Sequence, residues 1–245
     1  MNKQLLQTKS LLGDALIQMS KSGYRITGEV SIAVDDKLPI MGYTTEKDGH
    51  PLIVVSGWSL ASGRIEGLII HELSHVYRIQ SGHPSHSSTL HNKILRAVVG
   101  HRVVTAVQIE TIQNTINNLQ DLYADDISFA VYFNEKNDDL SEFFLGWIRE
   151  PIMQPASDTE IWLNAGSLLN AAFASANLKR HNVKDRDGKV ASAIEAFLIK
   201  NDQSLAREFD YFEKLMIELP DALTDTQFEK ILTQYLEKFL LLCKA

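Results

Sequence analysis

The chain has 245 residues, 44% of them hydrophobic and 22% charged, the balance of a folded globular protein and not of a disordered one. Its formal net charge of -7 argues against a nucleic-acid binder, whose phosphate contacts need a basic surface. A single cysteine, Cys243, rules out an intrachain disulfide, excludes a cysteine-rich structural zinc site and fits a reducing, cytoplasmic compartment.

Residues 2–20 read as an amphipathic helix, with Leu5, Leu6, Leu12, Leu16 and Ile17 spaced among Lys, Gln, Asp and Ser. This segment has no continuous apolar block and so does not read as a signal peptide. No window reaches the apolar length of a transmembrane helix, and no membrane insertion is expected. Between Tyr24 and Leu60 the pattern changes. Thr27 to Val34 alternates, Pro51 to Val55 is a β-branched run, and Asp48-Gly49 between them suits a turn. The expectation is a small sheet of about three strands.

The stretch Gly67 to Tyr77 carries His71-Glu72-Leu73-Ser74-His75, a His-Glu-x-x-His pattern inside one amphipathic helix. Residues four apart lie one turn above each other, so His71 and His75 offer two imidazole nitrogens to one metal ion. Glu72 stands about 100° further round, within reach of a metal-bound water but not required as a ligand. This is the arrangement of a zinc peptidase, two neutral nitrogen ligands with a general base beside them. Ile65, Ile69, Leu73 and Val76 form an apolar stripe on another side, which packs that side into a core. Ser62 is the expected N-cap, with Glu66 in the first turn.

Ser81 to Ser88 is a turn-rich loop, whose His83 and His86 read as lining a cleft mouth or as a polar surface. A long helical pattern follows over 91–118, with a break expected near Gly100, and 119–134 is a further helix or its continuation. Pro151 to Pro155 marks a boundary. Beyond it lie helices at about 159–181, 188–201, 204–218 and 224–242, whose apolar stripes suit a packed helical subdomain.

A catalytic zinc needs a third protein ligand and one open position. Ser81 and Arg78 occupy the places where a HExxHxxGxxH protein carries its third His and its Gly, which excludes that class. His83 is a weaker candidate, since Gly82 and Pro84 make it a loop residue. Asp121 and Asp125, four apart on the next helix, are stronger: one carboxylate is suited to bind the metal and the other to accept the N–H of a ligating His. For an isolated pair, a solvated acidic face would be the simpler reading.

Gly49 to Leu60, then Ile70-His71-Glu72-Leu73-Ser74-His75-Val76, then Asp121-Leu122-Tyr123-Ala124-Asp125, resembles the gluzincin metallopeptidases, and among them the HtpX-type and CAAX-processing proteases. That resemblance covers about residues 25–135. It implies Asp121 as the third zinc ligand, where the family carries Glu, and Asp125 as the residue orienting a ligating His. It also implies an edge strand ahead of the helix that pairs with extended substrate, with Ile53 to Ser56 as the candidate. A second oxyanion donor would come from His91, His101, Tyr132 or His181. The family's transmembrane helices are missing, so the expected protein is a soluble, minimal relative.

The fold class expected is therefore α+β and mostly helical: a zincin-like metallopeptidase domain over 1–150, its small sheet packed on the HExxH helix, and a helical subdomain over 151–245. The function expected is zinc-dependent hydrolysis of a peptide or protein substrate, with one zinc per chain held by His71, His75 and Asp121 and water activated by Glu72. The alternative is a regulatory or protein-binding module that keeps a metal site with little or no peptidase activity. Retention of Glu72 favours catalysis, because a purely structural site has no use for a base.

Overall fold

The computed structural model describes residues 3–100, 104–133, 140–200 and 203–244. Among these residues the chain is mostly helical, with one three-stranded mixed sheet. In order, the elements are α1 (Lys3–Lys21), β1 (Ser31–Asp35), β2 (Gly42–Lys47), β3 (His50–Ser56), α2 (Ile65–Gln80), α3 (Ser88–Val99), α4 (Ala106–Val131), α5 (Leu140–Leu145), α6 (Asp158–Arg180), α7 (Lys189–Lys200), α8 (Gln203–Glu218) and α9 (Asp225–Leu242). No described helix is long and apolar enough to cross a membrane.

By contact in space the chain groups into two compact units. One comprises Met1–His86 with Tyr123–Lys136, the other Ser87–Leu122 with Asn137–Ala245. Composition places a boundary at Pro151, ending a segment 1–150. The two contact units are each discontinuous in sequence, and α4 has residues in both.

In the first unit the strand order is β1-β3-β2. β3 pairs in parallel with β1, Ile53 opposite Ile32, and antiparallel with β2, Ile53 opposite Thr44. Asp48 and Gly49 join β2 to β3 with φ of 53° and 79°, both left-handed as a type I′ hairpin turn requires. The Ile53–Ser56 segment is therefore not an edge. It is bonded on both sides, and the strands at the margins are β1 and β2. The cause is the parallel β1–β3 pair, which sends the chain past its neighbour position and lets β2 return on the far side.

α2 lies against this sheet and against α1. Ile65, Ile69, Leu73 and Val76 are all buried, as their spacing requires, and Ile70 joins them. Ile65, Ile69, Ile70 and Leu73 share a core with Leu12, Ala15 and Met19 of α1, Ile53 and Val55 of β3, and Ile127 of α4. The helix does not begin as its sequence suggests. Its N-cap is Arg64, and Ser62 closes the preceding 3-10 turn at Trp58–Ala61, its Oγ donating to Ser59 O at 2.7 Å and accepting from Arg64 N at 3.2 Å. Ser62 is two residues short of the cap position, with helical φ/ψ as the C-cap of that turn, where an N-cap is extended.

The C-terminus of α2 is a Schellman turn. Gly82, at φ 68°, lets His83 N–H reach Arg78 O at 2.9 Å while its own N–H reaches Ile79 O at 3.1 Å. The chain reverses there and the 3-10 turn Pro84–His86 comes back against α2.

In the second unit, Ser87 caps α3, and Gly100 ends it at φ 64°, the break its sequence suggests. The residues from 119 onward continue α4 instead of forming a separate helix. α6 packs against α5, α7, α8 and α9. Thr224 and Gln227 form a reciprocal capping box that starts α9.

Since Ile69 has no exposed surface at the centre of the α2 interface, Ile69→Ala should lower unfolding stability by about 2–5 kcal/mol. Chemical denaturation measures this, and a loss below about 1 kcal/mol would mean that α2 is not the core helix of its unit.

Candidate metal centre

His71 and His75 sit one turn apart on the face of α2 opposite its buried stripe, both half-buried. Their Nε2 atoms face each other at 3.1 Å. On the far side of each ring, Nδ1 is already engaged. His71 Nδ1 lies 2.9 Å from Asp125 Oδ1, and His75 Nδ1 lies 2.8 Å from His86 Nε2. A carboxylate only accepts, so His71 donates its Nδ1–H to Asp125 and its Nε2 carries the lone pair. Asp125 is itself buried, which strengthens the bond and holds the ring in place.

Asp121 is one turn before Asp125 on the same continuous helix, so α4 presents both carboxylates along one side. His71, His75 and Asp121 each offer one ligand atom, and these atoms all lie within 4.8 Å of one another. That is close to the span of about 4 Å bridged by a single ion bound at about 2.1 Å. Two imidazole nitrogens and one carboxylate oxygen form a donor set suited to zinc. With both Nε2 atoms bearing lone pairs, the two rings are placed to share one cation; with Nε2–H on His75, the same contact is a hydrogen bond between them. The residues present fit the group.

Glu72 is buried, and its carboxylate is held by β2: Thr44 Oγ1 lies 2.8 Å from Glu72 Oε2 and 3.0 Å from Glu72 O. A buried carboxylate needs donors to offset its lost hydration, and this hydroxyl is one. Thr44 is not marked by any motif in the sequence. Its role follows from the hairpin that brings β2 across α2.

The loop histidines have separate surroundings. His83 Nδ1 is 2.7 Å from Ser85 Oγ and its ring packs at 4.6 Å on Tyr123, so it is not part of the metal-ligand cluster. His86 turns inward to His75. The signal for this was the Gly82-His83-Pro84 sequence, whose left-handed glycine reverses the chain after α2. Of the candidate oxyanion donors, Tyr132 donates its hydroxyl to Glu66 Oε2 at 3.0 Å near the start of α2. In the second unit His91 packs beside Phe228 and His181 ends α6. His101 lies outside the described residues.

A family model described only as a family of unknown function (DUF5781) matches residues 11–241. No curated protein and no solved structure matches the chain.

If Asp121 supplies the third ligand atom and Asp125 orients His71, Asp125→Ala should weaken zinc binding by about 10–100-fold. Asp121→Ala should weaken it further, and His83→Ala hardly at all. Competition against a chromophoric chelator ranks the three, and an equal or reversed order for the two aspartates would move the third ligand elsewhere.

Proposed function

The chain belongs to the DUF5781 family, a family of unknown function, and on the chemistry of its site we propose that it is a zinc-dependent peptidase with a zincin-like core. The observation that carries this reading is the convergence of His71, His75 and Asp121 within 4.8 Å, with Asp125 behind His71 and a buried glutamate next to it in sequence. A site of purely structural zinc would have four protein ligands and no need of that glutamate.

Zinc held by His71, His75 and Asp121 supplies, when bound, a Lewis acid that polarises a carbonyl and makes water acidic enough to attack near neutral pH. Glu72 is the general base: it takes the proton from the attacking water and passes it to the leaving amine. Thr44, donating to Glu72 Oε2, fixes the carboxylate's orientation on the β2 side. Asp125 keeps the lone pair of His71 on Nε2. The substrate is a peptide or protein in extended form. It adds to the margin of β2, the outer strand that lies against α2, by backbone hydrogen bonding. β2 takes the role that the sequence resemblance gave to Ile53–Ser56.

Glu72→Gln should lower peptide hydrolysis by at least about 100-fold, the usual contribution of a general base, while zinc content stays near that of the unaltered protein. Metal analysis combined with a peptide-library cleavage assay, with and without chelator, reads both quantities. Loss of zinc in the variant would make Glu72 a ligand or a structural residue. Zinc binding with no cleavage of any peptide by the unaltered protein would favour the regulatory module.

A further inference from the structure

His71 meets Asp125 at its Nδ1; His75 meets an imidazole at the same atom. That imidazole is His86, whose Nε2 lies 2.8 Å away, and the contact continues outward. His86 Nδ1 lies 2.8 Å from Ser85 Oγ, and Ser85 Oγ lies 2.7 Å from His83 Nδ1. Four side chains thus form one line, with Ser85 fully buried at its middle. Imidazoles and hydroxyls each donate or accept, so a line of this kind runs in either direction unless something fixes it.

One contact does. The backbone N–H of Ser85 points at His83 Nδ1 at 3.3 Å, and a backbone N–H only donates. His83 Nδ1 is therefore an acceptor. The Ser85 hydroxyl, 2.7 Å from the same nitrogen, must give its proton there. Its oxygen then accepts from His86 Nδ1–H, which leaves a lone pair on His86 Nε2. That lone pair accepts from His75 Nδ1–H, and the lone pair of His75 is left on Nε2, facing His71 Nε2 at 3.1 Å.

We propose that His86 is a positioning residue for His75, holding it in the tautomer whose Nε2 lone pair faces the metal position, with the direction of the line His75–His86–Ser85–His83 set by the backbone N–H of Ser85. The proposal rests on the reading of His71 and His75 as metal ligands. It gives each ligand its own orienting partner, a carboxylate from α4 for His71 and a neutral imidazole from the turn after α2 for His75. Outer partners of this kind fix the tautomer and ring plane of a ligating histidine. The Schellman turn at Gly82 is what brings His86 into place, since without the reversal the chain would run on past the end of α2.

The test uses the full chain with zinc as the probe and compares His86→Leu, which removes the acceptor, with His86→Gln, whose amide oxygen keeps one. Zinc affinity is read by chelator competition, and the tautomer of His75 by long-range nitrogen–proton correlation of labelled imidazoles in metal-free protein. Thermal unfolding of the metal-free variants controls for folding. We expect His75 in the Nδ1–H form in the unaltered protein and a mixture of forms in His86→Leu. Zinc binding should fall about 10–100-fold in His86→Leu, with most of the loss recovered in His86→Gln. Equal zinc affinity in His86→Leu, or His75 in the Nε2–H form in the unaltered protein, would overturn the role of His86 and leave the metal site standing. No zinc uptake by the unaltered protein would overturn the metal site itself, and this role with it.

Discussion

Two imidazole nitrogens facing each other at 3.1 Å are the constraint around which the first unit is built. Their separation follows from α2, which stacks His71 and His75 one turn apart. In the proposed tautomers, both lone pairs point at one position, and a cation there would be bound by both rings. The buried stripe of Ile65, Ile69, Leu73 and Val76 anchors α2 in the core, so the helix cannot roll and carry both rings away from α4 without exposing buried apolar surface.

The neighbouring polar groups are arranged with the same economy. Glu72 is almost fully buried, and it is tolerated because Thr44 reaches both its carboxylate and its carbonyl. Arg78, a turn past His75, is buried too; its Nε donates to Tyr123 O at 3.1 Å and its guanidinium lies 5.6 Å from the Tyr123 ring centre. That contact ties α2 to the stretch of α4 that carries Asp125, so the helix bearing the imidazoles and the helix bearing the orienting carboxylate are held together at a second point.

Much of this was legible in the sequence. The His71–His75 spacing, the apolar stripe behind it and the Asp121–Asp125 pair each report local helical geometry, and a helix places its residues by spacing alone. The helices after Pro151 were legible for the same reason, their limits falling within a residue or two of the pattern. What could not be read depends on how separate segments meet. The central position of β3 follows from strand order, which alternation does not encode. Thr44 finds Glu72 only once the hairpin has folded across α2. Ser62 has the residue type of a helix cap, but the 3-10 turn before α2 ends on it and shifts the helix start to follow Arg64. His86 was hidden by a turn whose direction is set by a single left-handed glycine.

The two halves of the site also differ in how far the chain must travel to make them. His75 and His86 are 11 residues apart, whereas His71 and Asp125 are separated by 54. Closing the longer loop costs about 1.4 kcal/mol more in chain entropy, from the logarithm of that length ratio. The three histidines can thus gather while distant segments are still disordered, and the carboxylates join only when α4 docks. If the site binds zinc as proposed, an ion held by nitrogen alone would be gripped fully only once α4 has docked, which would couple metal uptake to the completion of folding.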